Sequence, residues 1–359
     1  MTLRRRTLTV TIATLSAALA VAASASTTAS AETDPSSQRK LDANVLAPFQ
    51  IAVRGGTVWY SDGFAGTVTR LKDGKKKVVV TGGAEGVAVS GKSLAFTKTP
   101  ERAFSRLTVR RPGKKPMLAN LRRFERVHNP DGRVNYGIVR NFNQCAADFF
   151  NSQQPGSARY TGIVDSHPYQ VEALPGGAWA VAEAAGNEIL RVGKRGRISV
   201  VALLPRQPVT ITQKMVDAMD APDCLVGVRY AFEPVPTDVE RDRHGNLWVS
   251  LLPGGPEDPS LGARGAVYKI TKSGAVRRIH GGFLGATNLA VTPGGKVLVT
   301  QLFKGKISTL RNGRVVNVRS IDRPVSVEAT RSTLFVGQLA EFGQQGPVAG
   351  TGGVYRFPR

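Results

Sequence analysis

Residues 168–203 read PYQVEALPGGAWAVAEAAGNEILRVGKRGRISVVAL, and their pattern decides the fold. Tyr169–Ala173 alternates apolar and polar residues. Pro175-Gly176-Gly177 makes a tight turn, Ala178–Ala182 is a more apolar strand, and Glu188–Val192 a third. Lys194-Arg195-Gly196 turns the chain into a fourth strand. Short runs of β-branched, aromatic and small apolar residues between Gly, Pro and Asn are strands, and turns this short make hairpins.

Working outward, the same unit recurs. First strands are expected at Phe49–Val53, Gly86–Val89, Tyr169–Ala173, Thr237–Arg241, Asn288–Val291 and Val325–Ala329. Second strands follow at Thr57–Ser61, Ser93–Thr97, Ala178–Ala182, Leu247–Leu251, Val297–Gln301 and Thr333–Gln338. Third strands are equally legible, from Thr67–Leu71 to Gly353–Phe357. Six units of consecutive hairpins predict an all-β chain folded as a six-bladed β-propeller. The last unit ends at Arg359 with no fourth strand, and Lys40–Leu46 has no sheet of its own, so this N-terminal strand is expected to complete the last blade and remove an open edge. A β-sandwich of the same strands would not need the chain ends to meet.

Before the repeats, Arg4-Arg5-Arg6, an uncharged run from Thr7 to about Ala23 and Ala29-Ser30-Ala31 have the three parts of a cleavable signal peptide over 1–31. The expected organisation is that peptide, a disordered linker over 32–39, and one propeller over 40–359 with insertions at about 120–167 and 204–236. The paired arginines leave twin-arginine and general export both open. No other apolar run approaches a membrane span, so a secreted or wall-associated monomer without a transmembrane segment is expected. Formal charge is +23, and losing Arg4, Arg5 and Arg6 with the signal leaves +20. Such a balance favours an anionic cell-wall polymer as partner, while export argues against nucleic acid. The plainer reading is that the charge keeps the protein soluble. Cys145 and Cys224 are the only cysteines, and in an oxidising compartment they are expected to form a disulfide.

Propeller topology assigns the loops to two ends. The insertions 120–167 and 204–236, with Pro253–Gly265 and Leu339–Gly352, all fall at the end where blades are linked, which is therefore the expected binding face. The other end carries basic turns, among them Lys72-Asp73-Gly74-Lys75-Lys76-Lys77 and Lys194-Arg195-Gly196-Arg197. Around the channel mouth on the loop-rich face the sequence places Gln50, Glu85, His167, Gln170, Asp238, Asn288 and Ser326, joined by Asp62, Glu183, Gln301 and Gln338. Carboxylates and amides in a ring suit a polar ligand or a divalent cation such as calcium. They equally suit a channel whose polar groups satisfy one another. No G-x-S-x-G elbow, phosphate-binding glycine loop or H-E-x-x-H motif is present. The first functional expectation is thus a binding module for an extracellular glycan, small molecule or protein. The alternative is a metal-assisted hydrolase, lactonase or lyase of the gluconolactonase-like type, resting on Glu85, Asp238 and Asn288.

Phe124-Glu125 leading to Asn129-Pro130-Asp131-Gly132, then Ser166-His167-Pro168-Tyr169, Ala182-Glu183-Ala184 with Gly186-Asn187, and Val235-Pro236-Thr237 resemble the exported ScyD/ScyE family of propellers, related more widely to NHL-type repeats. His167 and Glu183 stand where that family tends to carry Asn and Asp. The resemblance covers nearly all of the chain after the signal. It implies the fold, export and a polar top face, and adds Asn129 and Asp131 to the ligand-binding candidates. It implies no activity.

Overall fold

The structure, a computed structural model, describes residues 38–99 and 104–359. The expected signal peptide and most of the expected linker lie outside the described residues. The chain is all-β, and among the described residues the strands fall into seven four-stranded antiparallel sheets plus one small hairpin. Five sheets are consecutive meanders, beginning with Ile51–Arg54, Ala84–Ser90, Pro168–Leu174, Pro236–Arg241 and Ala286–Val291. The last repeat supplies Pro324–Ala329, Thr333–Gln338 and Gly353–Pro358, and its fourth strand is the N-terminal Arg39–Asp42. Arg39 pairs with Arg356, Lys40 with Tyr355 and Asp42 with Val354. That strand begins at Arg39, one residue inside the expected linker.

Local sequence explains the hairpins. Lys72 pairs with Lys75 around Asp73-Gly74, and Arg311 with Arg314 around Asn312-Gly313. All four central residues have positive φ, between 48° and 73°, which the loop's twist requires and which Asp, Asn and Gly tolerate. Within a sheet, burial falls from the second strand to the fourth. Ala178–Glu183 is buried at every position, whereas Ile198–Leu203 of the same sheet buries only Ala202.

Apolar residues gather between successive sheets. Val171, Trp179, Val181 and Leu190 pack on Leu107 and Val109 of the preceding sheet, while Ala180, Ala182 and Ile189 pack on Val239 and Val249 of the next. Ile51, Val58 and Tyr60 of the first sheet pack on Phe335 and Val354 of the last. Pairs of sheets joined in this way stabilise one another, because neither covers its apolar faces alone.

The two long insertions do not run as loops. They meet to form the seventh sheet, in which Arg159–Thr161, Asn135–Arg140, Arg229–Phe232 and Gln207–Thr210 lie side by side. Three helices accompany it: α1 (Leu121–His128), α2 (Gln144–Gln153) and α3 (Gln213–Met219). This module has its own apolar core, including Ile138, Ala146, Ile211, Val216, Leu225 and Tyr230. The Cys145–Cys224 disulfide ties α2 to the short turn Asp223–Leu225.

Candidate functional site

The inner strands carry one polar position just before a buried apolar residue: Gln50 before Ile51, Gln170 before Val171, Asp238 before Val239, Asn288 before Leu289 and Ser326 before Val327. These side chains hold the sheets to one another. Asp238 accepts from its neighbour Val239 N (2.8 Å) and from Leu289 N (3.1 Å) of the next sheet. Asn288 Oδ1 accepts from Val327 N at 2.8 Å. Gln50 Oε1 accepts from Val87 N at 2.7 Å, and its Nε2 donates to Val171 O at 3.1 Å. Gln170 Nε2 donates to Phe49 O at 2.7 Å, and Ser326 Oγ donates to Pro48 O. Buried amides and carboxylates held this way join backbone groups that no ladder reaches. Gln301 is similarly engaged, accepting from Leu284 N and donating to Ser308 Oγ at 2.7 Å. Gln338 is half-buried in the last sheet, pairing in register with Pro324 and Gly353.

One layer along the same strands, Glu172, Glu240 and Glu328 are half-buried near one another and near Asp238. Burial, then the neighbouring carboxylates, raises the Glu240 carboxyl well above its usual range. Burial likewise pushes Glu172 up to about 7 and Glu328 to about 8.

At the loop-rich end, His167 Nε2 lies 2.5 Å from Glu85 Oε2, and the two side chains are 10% and 14% exposed. Burial alone would depress the imidazole, but the charge and hydrogen bond of Glu85, with the charges of Glu183 and Asp165, together raise His167 above its ordinary value. An aromatic row leads to this pair. Successive ring centroids from Phe342 to Phe64, Phe49, Tyr169 and His167 are 5.6, 5.7, 5.3 and 5.8 Å apart. The residues come from four different loops and strand starts, so only the tertiary fold assembles the row. Two grooves, of about 450 and 530 Å³, lie elsewhere. The first sits between the first and last sheets beside Arg39, Lys40 and Arg356, the second beside Asn135, Arg206 and Val276. Neither is lined by a site residue expected from the sequence.

Behind His167 lies a second polar centre, built where the insertion module meets the third sheet. Glu183, closing the second strand, accepts from the backbone N–H of His167 and from Ser166 Oγ at 3.1 Å. Helix α1 is N-capped by Asn120, and it buries Leu121 and Glu125, one turn apart, on its inner face. Asn129 ends the helix in the left-handed region and donates to Gly162 O at 3.2 Å. Asp131 is fully buried and accepts from Asn187 Nδ2 at 2.8 Å and Tyr136 Oη at 3.2 Å. Asn187 also donates to Glu233 at 3.2 Å and accepts from Val235 N at 3.2 Å. The motifs Glu125, Asn129–Asp131, Ser166-His167, Glu183, Asn187 and Val235, dispersed over 110 positions of sequence, thus meet in one place. Glu188, which sequence reasoning passed over as an ordinary strand residue, joins them and is fully buried. Two carboxylates flanking the tight Gly186-Asn187 turn were the available signal.

Burial pushes Glu188 up to about 9, reinforced by Glu183, Glu125 and Asp131. It pushes Glu183 up to about 8 and Glu125 to about 7, and raises Asp131 and Glu233. Among the described residues, no three His, Cys, Asp or Glu side chains are grouped as a metal ion would hold them. No described helix is long and apolar enough to cross a membrane.

No family model matches the chain, and no curated protein matches its sequence, so the family resemblance rests on the motifs quoted above. Solved structures do match. A gluconolactonase from Xanthomonas campestris is 13% identical, with 89% of each chain covered and a TM-score of 0.53. A streptogramin B lyase is 13% identical over 90% of this chain and 99% of its own, with a TM-score of 0.50. A protein of unknown function from Bacteroides thetaiotaomicron is 11% identical over 90% of this chain and 75% of its own, with a TM-score of 0.54. At such identities the likeness shows the fold alone: this is a propeller-type all-β protein.

Proposed function

We propose that the chain is a six-bladed propeller closed by its N-terminal strand, and that it acts outside the cell as a binding module for a polar ligand of glycan type. Closure is supported by the pairing of Arg39–Asp42 with Gly353–Pro358 and by the apolar contact of the first and last sheets. The ScyD/ScyE-like motifs belong to the same reading. The observation that carries the binding function is the aromatic row ending on the Glu85–His167 ion pair. Rings offer flat faces to the C–H surface of a sugar, while a carboxylate and an imidazole at the end of the row orient its hydroxyls. The amides of Gln50 and Gln301 are engaged at both ends and that of Gln170 at its nitrogen, which leaves the Glu85–His167 pair as the polar end of this reading. The exposed basic turns at the opposite end suit an anionic wall polymer.

Calorimetric titration with a panel of neutral and acidic wall oligosaccharides tests the reading. A binder should lose at least about tenfold affinity in His167→Ala and in Glu85→Gln, the loss of one charge-assisted hydrogen bond. A panel without any binder, or binding unchanged in both variants, would remove its support.

A second reading has one observation in its favour. A carboxylate and an imidazole 2.5 Å apart form an acid–base couple, which is what a lactonase or lyase needs. Turnover of lactone substrates by the wild type, abolished in His167→Ala, would establish it.

A further inference from the structure

We infer that the buried carboxylates around the Gly186 turn form a calcium site that fastens the insertion module to the third sheet. This goes beyond the ligand reading and does not depend on it.

The inference starts from hydrogen-bond accounting. Glu125 and Glu188 are 1% and 0% exposed, and all four of their carboxylate oxygens lack a hydrogen-bond partner. Asp131 Oδ1 and Asn129 Oδ1 are also without partners. Native proteins pair nearly every buried polar group, and a buried carboxyl without a partner is costly whether it is charged or neutral. Two of the unanswered oxygens, one from Glu125 and one from Glu188, are aimed at one place. A Cβ added to Gly186 would lie 3.3 Å from Glu125 Oε2, 3.5 Å from Glu188 Oε1 and 3.1 Å from Glu183 Cγ. Glycine at 186 therefore leaves open the space on which the carboxylates of Glu125 and Glu188 border, with the Glu183 methylene on a third side.

The nearest cation cannot answer them. Arg122 on α1 is paired with Asp165 at 2.9 Å and donates to Val164 O at 2.8 Å. The donors on offer are oxygens, and the imidazole of His167 is turned to Glu85. Hard oxygen donors of high negative charge and irregular placement select calcium over zinc, and over magnesium with its strict octahedron. The carboxylates surround the turn without yet meeting at one point, so the ion draws Glu125 and Glu188 inward by rotation about their side-chain bonds. Because Glu125 belongs to the insertion and Glu188 to the third sheet, an ion between them joins the two units.

The test uses the whole purified chain, stripped with chelator and dialysed. Calcium chloride is titrated by calorimetry, and thermal unfolding is followed with calcium, with magnesium and without either. One site per chain is expected, with melting raised by about 5 °C at calcium a hundredfold above Kd. Terbium should emit on tyrosine excitation, since Tyr136 touches Asp131. Glu125→Gln and Glu188→Gln should each lose the calcium shift, while Glu172→Gln in the channel keeps it. No heat and no melting shift in the wild type at 10 mM calcium, about tenfold above the weakest extracellular affinities, would overturn the assignment. So would an equal response to magnesium, or a calcium shift that survives both Glu125→Gln and Glu188→Gln. Without an ion, Glu188→Gln removes repulsion and should melt higher than wild type in every buffer, which is the opposite of the calcium-loaded result. Should either variant fail to fold, the wild-type titration still decides.

Discussion

The channel ring and the centre behind Gly186 use the same side-chain types, yet they end in opposite states. Asp238, Asn288 and Gln50 each sit beside a neighbouring inner strand whose N–H groups point at them, so burial is matched by hydrogen bonds. Glu125 and Glu188 face one another's elements with no N–H in reach. The difference lies in the backbone that surrounds each group. Asp238, Asn288 and Gln50 take partners from the next repeat, whereas Glu125 and Glu188, which meet at the junction with an insertion, take none. Buried carboxylates with partners are structural, and those without ask for a ligand.

The largest expected effect that sharpens this contrast comes from the insertion side. Cys145→Ser with Cys224→Ser should cost about 2–4 kcal/mol in the insertion module. Hydrogen exchange should show faster opening in Asn135–Arg140 and Arg229–Phe232 than in Ala178–Glu183. Uniform opening of all the sheets would mean that the module is no separate unit.

Next, Asp238→Ala leaves the N–H of Leu289 buried without an acceptor and should cost about 1–3 kcal/mol in denaturant unfolding. A cost below about 0.5 kcal/mol would show that Asp238 does not act as a tie. Glu188→Gln in calcium-free buffer offers the contrast, since there it removes an acceptor that no protein group uses.

A smaller, pH-dependent effect separates the two layers of the channel. Glu172 and Glu328 have folded values of about 7 and about 8, above an ordinary value of 4.5. The folded state holds its protons where the unfolded chain has released them. Their contribution is therefore greatest below about 4.5 and is lost as pH rises through 7 to 8. Melting should fall across that window, and Glu172→Gln should flatten the fall and leave the acid side unchanged. A parallel curve for the variant would contradict the raised value.

Much of the architecture was legible in sequence because hairpins write their own signals, as Asp73-Gly74 and Asn312-Gly313 do. Pairing of the first strand with the last was legible too, since Gly353–Phe357 lacked a following strand. The seventh sheet was not. Asn135–Arg140 and Arg229–Phe232 look like strands singly, but they pair across about ninety residues, and spacing carries no record of that. The candidate site was legible in part. Residues 129–131, His167 and Glu183 were marked through motifs, while Glu188 looked like the start of an ordinary strand. Nor could sequence say that Asp238 and Asn288 would meet backbone N–H groups, because this depends on how one sheet is set against the next.

The contrast between answered and unanswered carboxylates is tested most directly by diffraction from crystals grown with calcium, with data collected where calcium scatters anomalously. The account predicts one anomalous peak beside Gly186, bounded by oxygens of Glu125 and Glu188 at about 2.4 Å. A map with no peak there, and with both carboxylates hydrogen-bonded to ordered water, would contradict it.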